Sequence, residues 1–144
     1  MSDAGPPQWT TGELQARLLR PPFNAWLELR LLSWGDEGVV IGLDARPELL
    51  GHTGVGSLHG GVLATLVDVA ASFAVIVRTG ESLLTVDMRV DYHRPATATG
   101  YRAEARVVRL GRTLATADTQ VLAVDRSLVA SGRAVFQHFP RPPA

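Results

Sequence analysis

Val62-Leu63-Ala64-Thr65-Leu66-Val67-Asp68-Val69-Ala70-Ala71-Ser72-Phe73-Ala74-Val75 decides how the rest of this chain must fold. Wound as a helix, this stretch is apolar on nearly every face, so it has to be enclosed rather than laid along a surface. Ala64, Ala70, Ala71 and Ala74 are small enough for neighbouring backbone to come close. Gly60-Gly61 precedes the run and Thr79-Gly80 closes it, which sets a helix start between 58 and 61 and an end by 80. The run is short for a bilayer span, and Thr65, Asp68 and Ser72 interrupt it, so a core helix explains it better.

Downstream of Gly80 the period changes to two. Val86, Met88, Val90 and Tyr92 alternate with Asp87, Arg89, Asp91 and His93, a strand that Pro95 ends. Residues 101–109 alternate again, 110–112 turn, 113–124 form another strand, 125–127 turn, and 128–136 complete the set. Upstream, residues 25–32 and 38–43 flank Gly35-Asp36-Glu37-Gly38 and read as a β-hairpin. A short helix over 13–19, capped by Thr11, stops at Pro21-Pro22. Residues 47–50 suggest one turn of helix, and 51–56, with three glycines, a loop. One helix cannot be covered by a flat sheet on a single side, so the sheet must curl around it or a second subunit must cover the remainder. The expected class is α+β: a hotdog fold, a curled antiparallel β-sheet wrapped around one long central helix.

Composition bounds the function. The 144 residues suit a single domain over 1–144, with about 1–10 and 139–144 as flexible ends. Fourteen basic and fourteen acidic side chains cancel, so no global field recruits nucleic acid or an anionic membrane, and neither is expected as a partner. No cysteine is present, which removes thiolate chemistry and suits a reducing compartment. With no basic and apolar leader at residues 1–7, a cytoplasmic location is expected. His52, His93 and His138 show no metal-ligand spacing and read as surface residues.

Asp68 is the chemical oddity. A carboxylate among Leu66, Val67, Val69 and Ala70 is costly if unpaired. Burial raises a carboxyl pKa and hydrogen bonds to the charged form oppose that, a balance enzymes use to obtain a working base. The bland alternative is a structural carboxylate paired with an arginine or capping a loop. At the helix start, leading N–H groups lack intrahelical partners and the dipole favours negative charge. Gly60 and Gly61 leave those amides open to a substrate carbonyl, although two glycines also suit a tight turn. His59 adjoins that position, and Ser72 lies one turn beyond Asp68, where it could touch substrate or bond back to the helix.

Residues 56–68, Gly-Ser-Leu-His-Gly-Gly followed by Asp seven positions after the second glycine, closely resemble the helix-start motif of hotdog thioesterases of the phenylacetic-acid-degradation and thioesterase-superfamily-member type. Residues 84–92 with Pro95 resemble that family's next strand, and Gly111-Arg112-Thr113-Leu114 its following hairpin; the likeness spans roughly 23–138. The resemblance implies an acyl-CoA thioesterase without metal or cofactor, coenzyme A being part of the substrate. It implies a homodimer at minimum, or a homotetramer, with active sites between subunits. It makes Asp68 the general base or nucleophile, Gly60 the backbone donor to the thioester oxygen, His59 its neighbour, and Thr85 the holder of a water. It makes Arg109, Leu110, Gly111, Arg112 and Thr113 contacts to the CoA nucleotide; Gly61, Ser72 and Asp87 are further candidate substrate contacts. Many members carry Asn or Gln in the loop before the motif; here that loop reads Gly51-His52-Thr53-Gly54, which leaves Thr53 or His52 in its place.

Spacing adds a constraint of its own. Gly60 and Asp68 stand about 12 Å apart along one helix at 1.5 Å per residue. A base must lie within hydrogen-bond reach of the water it activates. Two antiparallel helices related by a two-fold axis bring Gly60 of one subunit to Asp68 of the other. Two other functions compete: a non-catalytic acyl-CoA or small-ligand binding protein, and an enoyl-CoA hydratase, which needs a His soon after the Asp that this helix lacks.

Overall fold

A computed structural model describes residues 5–52 and 54–139. The order is α1 (Thr11–Leu19), α2 (Pro22–Trp26), β1 (Arg30–Gly35), β2 (Gly38–Asp44), a 3-10 turn (Pro47–Leu49), β3 (Leu50–His52), β4 (Ser57–Leu58), α3 (Gly60–Thr79), β5 (Ser82–Tyr92), β6 (Gly100–Leu110), β7 (Leu114–Ala123) and β8 (Leu128–Phe139).

Six strands form one antiparallel sheet in the order β1-β2-β6-β7-β8-β5, and β3 and β4 pair beside it. The sheet curls around α3, whose Val62, Leu63, Leu66, Val67, Ala70, Phe73 and Ala74 are buried. This is the hotdog arrangement expected from the sequence. The sheet offers α3 a small-residue floor of Ala115, Ala117 and Ala134, so the helix lies close over β7 and β8. Gly132 of β8 faces Val67: a Cβ there would stand 2.7 Å from Val67 Cγ1 and press on the Arg89 carbonyl. Thr119, buried on β7, donates to the Val67 carbonyl at 3.2 Å. These two positions seat the helix one residue before Asp68. Gly80 ends α3 in the left-handed conformation, φ 70°, which glycine adopts without a Cβ clash.

Several sequence expectations shift. Thr10, not Thr11, caps α1, in a capping box: Glu13 N–H donates to Thr10 Oγ1 at 3.2 Å, and Thr10 N–H donates to the Glu13 carboxylate at 2.8 Å. Pro22 both stops α1 and begins α2, because a first-turn residue needs no N–H partner. Ala25 and Trp26 are therefore helical rather than the start of a strand, and the β1–β2 turn shrinks to Asp36-Glu37 between the paired Gly35 and Gly38. The presumed loop over 51–56 carries part of β3. Trp9 is no flexible end: its Nε1–H donates to the Val77 carbonyl at 3.0 Å. Phe139 belongs to β8 rather than to a tail. The rest of the expectation about the termini concerns 1–4 and 140–144, outside the described residues.

Nor is α3 enclosed all round. Ala64, Thr65, Asp68, Val69, Ser72 and Ile76 form a half-buried stripe on the side away from the sheet's centre. That stripe borders β5, an edge strand with one hydrogen-bonded neighbour, and β5 leaves Leu84 and Val86 about 60% exposed (60% and 58%). Alternation alone places Val86 inward. A bulge between Thr85 and Asp87 turns it out instead, since one extra residue flips the side that follows.

Candidate active site

α3 presents Asp68 on its open stripe, half-buried, and β5 meets it there. Thr85 Oγ1–H donates to Asp68 Oδ1 at 2.8 Å. Among the described residues Asp68 makes no ion pair, so the alternative of a structural carboxylate neutralised by an arginine fails within the chain. A hydroxyl that donates to one carboxylate oxygen holds the group in orientation and leaves the other oxygen able to accept from water.

The other end of α3 is built from His59. Its N–H donates to the Leu49 carbonyl at 2.8 Å, which ties the helix start to the 3-10 turn. Its Nδ1 accepts from Gly61 N–H at 2.8 Å, so the ring is the N-cap and its own hydrogen sits on Nε2. Val62 N–H donates to the His59 carbonyl at 2.9 Å. With the amides of Gly61 and Val62 taken, that of Gly60 has no partner among the described residues. Gly60 is thus the amide at this helix start available to an incoming acceptor, and the helix dipole favours charge developing there. Gly61 is required for a different reason: a Cβ on it would meet His59 Nδ1 at 2.9 Å and push the cap away.

Tyr92, at the far end of β5, gives the site a support that the motif did not reveal. Its hydroxyl donates to the Gly60 carbonyl at 2.9 Å, and its ring lies 3.4–3.5 Å from where a Gly60 Cβ would stand. β5 therefore spans the site, with Thr85 holding Asp68 and Tyr92 holding Gly60. The available signal was that Tyr92 shares strand parity with Met88 and Val90, which face the helix.

Ser72 donates to the Val69 carbonyl at 2.9 Å, so it bonds back to its own helix. Arg109, Leu110, Gly111, Arg112 and Thr113 form the exposed β6–β7 hairpin. Register places Ala115, Phe136 and Thr85 in one row across β7, β8 and β5, about 10 Å at 4.8 Å per strand. The hairpin thus sits at the Thr85 end of the sheet. Asp87, beyond the bulge, pairs with Val135 and faces the outer side of the sheet, where it is not brought together with Asp68. There it lines a groove of about 1170 Å³ with Arg89, Asp118 and Arg133, which neither Asp68 nor Thr85 reaches. Thr53 lies outside the described residues. His93 is exposed as expected, but His138 is buried, 6% exposed, because the β6–β7 hairpin closes over it. No group of three His, Asp or Glu side chains among the described residues could hold a metal ion.

The curled antiparallel sheet around one central helix makes this a hotdog protein, with Asp68 and the Gly60 amide as its candidate site. Comparison with known proteins agrees. The pattern of the thioesterase superfamily matches residues 55–130, and the chain belongs to that family. A solved thioesterase-superfamily structure is 46% identical with TM-score 0.85, covering 90% of this chain and 98% of its own. Zebra fish thioesterase superfamily member 2 is 30% identical with TM-score 0.76, covering 89% and 94%. The medium/long-chain acyl-CoA thioesterase YigI of Salmonella typhimurium is 29% identical over 130 residues, 80% of this chain and 84% of that one.

Proposed function

We propose that this hydrolase acts on acyl-CoA thioesters, with Asp68 as general base and the Gly60 amide as the oxyanion donor. The observation that carries the reading is the Thr85–Asp68 hydrogen bond on the open stripe of α3. The thioester carbonyl oxygen accepts from Gly60 N–H, whose partial positive charge grows in value as the oxygen becomes anionic. A water beside Asp68 passes its proton to the carboxylate as its oxygen attacks the carbonyl carbon. Collapse of the tetrahedral intermediate expels the CoA thiolate, which takes the proton back from Asp68. Direct attack by Asp68 uses the same residue through a mixed anhydride. Hydrolysis in ¹⁸O-water under single turnover tests the second route, since water attacking the anhydride at the Asp68 carbonyl leaves label in that carboxylate, which general-base catalysis never does.

Two groups about 12 Å apart on one helix cannot flank one carbonyl, so each site takes Gly60 from one subunit and Asp68 from another. The exposed edge of β5, with Leu84 and Val86 beside the half-buried stripe, supports a homodimer built through that side, and the charged outer sheet face is available for pairing dimers into a tetramer. The name of the YigI relative points to aliphatic acyl chains of medium or greater length. A cysteine-free chain is suited to the cytoplasm.

Thiol release over a panel of aliphatic and aromatic acyl-CoA substrates tests the reading. Wild-type protein should release CoA and Asp68→Asn should release it far more slowly. A protein that binds CoA and releases none from any substrate is a binding protein, the competing assignment.

A further inference from the structure

Among the described residues His138, 6% exposed, is the one histidine, acidic or basic side chain that is buried, and the proposed chemistry does not use it. It stands near the end of β8, paired with Leu83 of β5, two residues from Thr85. Its ring bridges two elements. Nδ1 meets the Glu81 carboxylate, and Nε2 lies 2.8 Å from the Gly111 carbonyl. A carbonyl only accepts, so Nε2 is the side of the ring that donates, to Gly111. The main chain grips the same hairpin, because His138 N–H donates to the Thr113 carbonyl at 3.0 Å. Glu81 is itself fixed: its N–H donates to Thr79 Oγ1 at 3.2 Å, and its carbonyl accepts from Arg17 Nη2 at 3.0 Å.

What His138 holds is the turn that carries cations. Gly111 N–H donates to the Leu114 carbonyl at 2.8 Å, so the turn is closed on itself and moves as a unit. Arg109 folds over it, with Nη1 3.0 Å from where a Gly111 Cβ would stand. The Arg109 guanidinium thus packs against Gly111, and Arg112 stands on the same turn. A solvated hairpin tip has no need of a buried imidazole-carboxylate pair beneath it, whereas a tip that must present guanidinium groups to phosphates gains from being held in place.

We propose that His138, braced by Glu81, is a positioning residue for the nucleotide end of the substrate, acting through the Gly111 carbonyl on the hairpin that bears Arg109 and Arg112. This rests on the acyl-CoA reading above. Asn and Gln divide the two halves of the imidazole: Asn places a nitrogen where Nδ1 is, and Gln places one where Nε2 is. His138→Asn thus keeps the Glu81 contact and loses Gly111, while His138→Gln keeps a donor for Gly111.

The experiment compares acyl-CoA with the N-acetylcysteamine thioester of the same acyl group, which has the reacting bond and no nucleotide, and adds calorimetric titration with CoA itself. His138→Asn should raise KM for acyl-CoA and Kd for CoA roughly five- to tenfold, the value of one hydrogen bond, with kcat unchanged. The short thioester should be hydrolysed as by wild type, and His138→Gln should recover most of the loss. Equal damage to both substrates, or a fall in kcat alone, overturns the role of His138 while leaving thioester hydrolysis intact. Wild-type protein that hydrolyses neither thioester overturns the hydrolase reading and this one with it.

Discussion

Thr85 Oγ1 donates to Asp68 Oδ1 at 2.8 Å across the gap between the edge strand β5 and the central helix α3. The bond gives Asp68 one fixed oxygen and one free oxygen, the arrangement a general base needs. Asp68→Asn should lower kcat by roughly 10²–10⁴-fold, the range for loss of a positioned base, with little change in KM. Thr85→Val removes the hydroxyl at similar volume and should cost about tenfold in kcat, while Thr85→Ser should retain most activity. Steady-state kinetics decide; a Thr85→Val enzyme as fast as wild type means the hydroxyl does not hold the base.

The vacant amide of Gly60 can be deleted almost alone. Proline is tolerated at the first residue of a helix, and His59 has φ −58° and ψ 134°, an extended conformation that suits the residue before proline. Gly60→Pro should fold and lower kcat by roughly 10²–10³-fold, as for loss of an oxyanion donor. If each site joins Gly60 of one subunit to Asp68 of the other, a mixed dimer of Gly60→Pro with Asp68→Ala has one doubly damaged site and one intact site. Co-refolding the two inactive variants should restore activity; mixtures that stay inactive despite forming heterodimers mean both groups act within one subunit or do not act together.

The sequence made some of this legible and hid the rest for physical reasons. Asp68 stood out because an ionised group in an apolar helix conflicts with its surroundings, and such a conflict is visible in a linear string. The α3 boundaries were visible because glycine and threonine mark helix ends. Tyr92 and Thr119 could be placed on the helix-facing side by parity, but their bonds to Gly60 and Val67 depend on the curl of the sheet, which parity does not encode. The bulge at Val86 was hidden because one extra residue in a strand leaves the composition of the strand unchanged. His138 was read as surface because its partners are 57 and 27 residues away, and a histidine near a chain end looks solvated until the hairpin over it is known.

His59 separates capping from catalysis. Its Nδ1 accepts the Gly61 amide, which any short acceptor at that position could do. His59→Ala should cost about 1 kcal/mol, the usual value of an N-cap, seen as a Tm lower by a few degrees. His59→Asn puts Oδ1 where Nδ1 stood and should restore both the Tm and kcat. A His59→Asn enzyme with wild-type Tm and kcat reduced like that of Asp68→Asn would instead give the imidazole a chemical role.

Gly132 tests how closely α3 must lie on the sheet. A methyl group there has no room: it meets Val67 Cγ1 at 2.7 Å on one side and the Arg89 backbone carbonyl on the other, and a backbone atom cannot rotate away. The strain must be relieved by lifting α3 or by displacing β5. Overpacking of this kind costs about 1–3 kcal/mol, so Gly132→Ala should lower the denaturation midpoint without changing the slope. Either relief also widens the gap that Thr85 spans to Asp68, since Val67 adjoins Asp68 and Arg89 lies on the strand of Thr85. Thus kcat should fall in the folded fraction as well, which activity normalised to folded protein measures. A Gly132→Ala enzyme that is less stable but fully active would show that the Thr85–Asp68 bond tolerates movement of the helix.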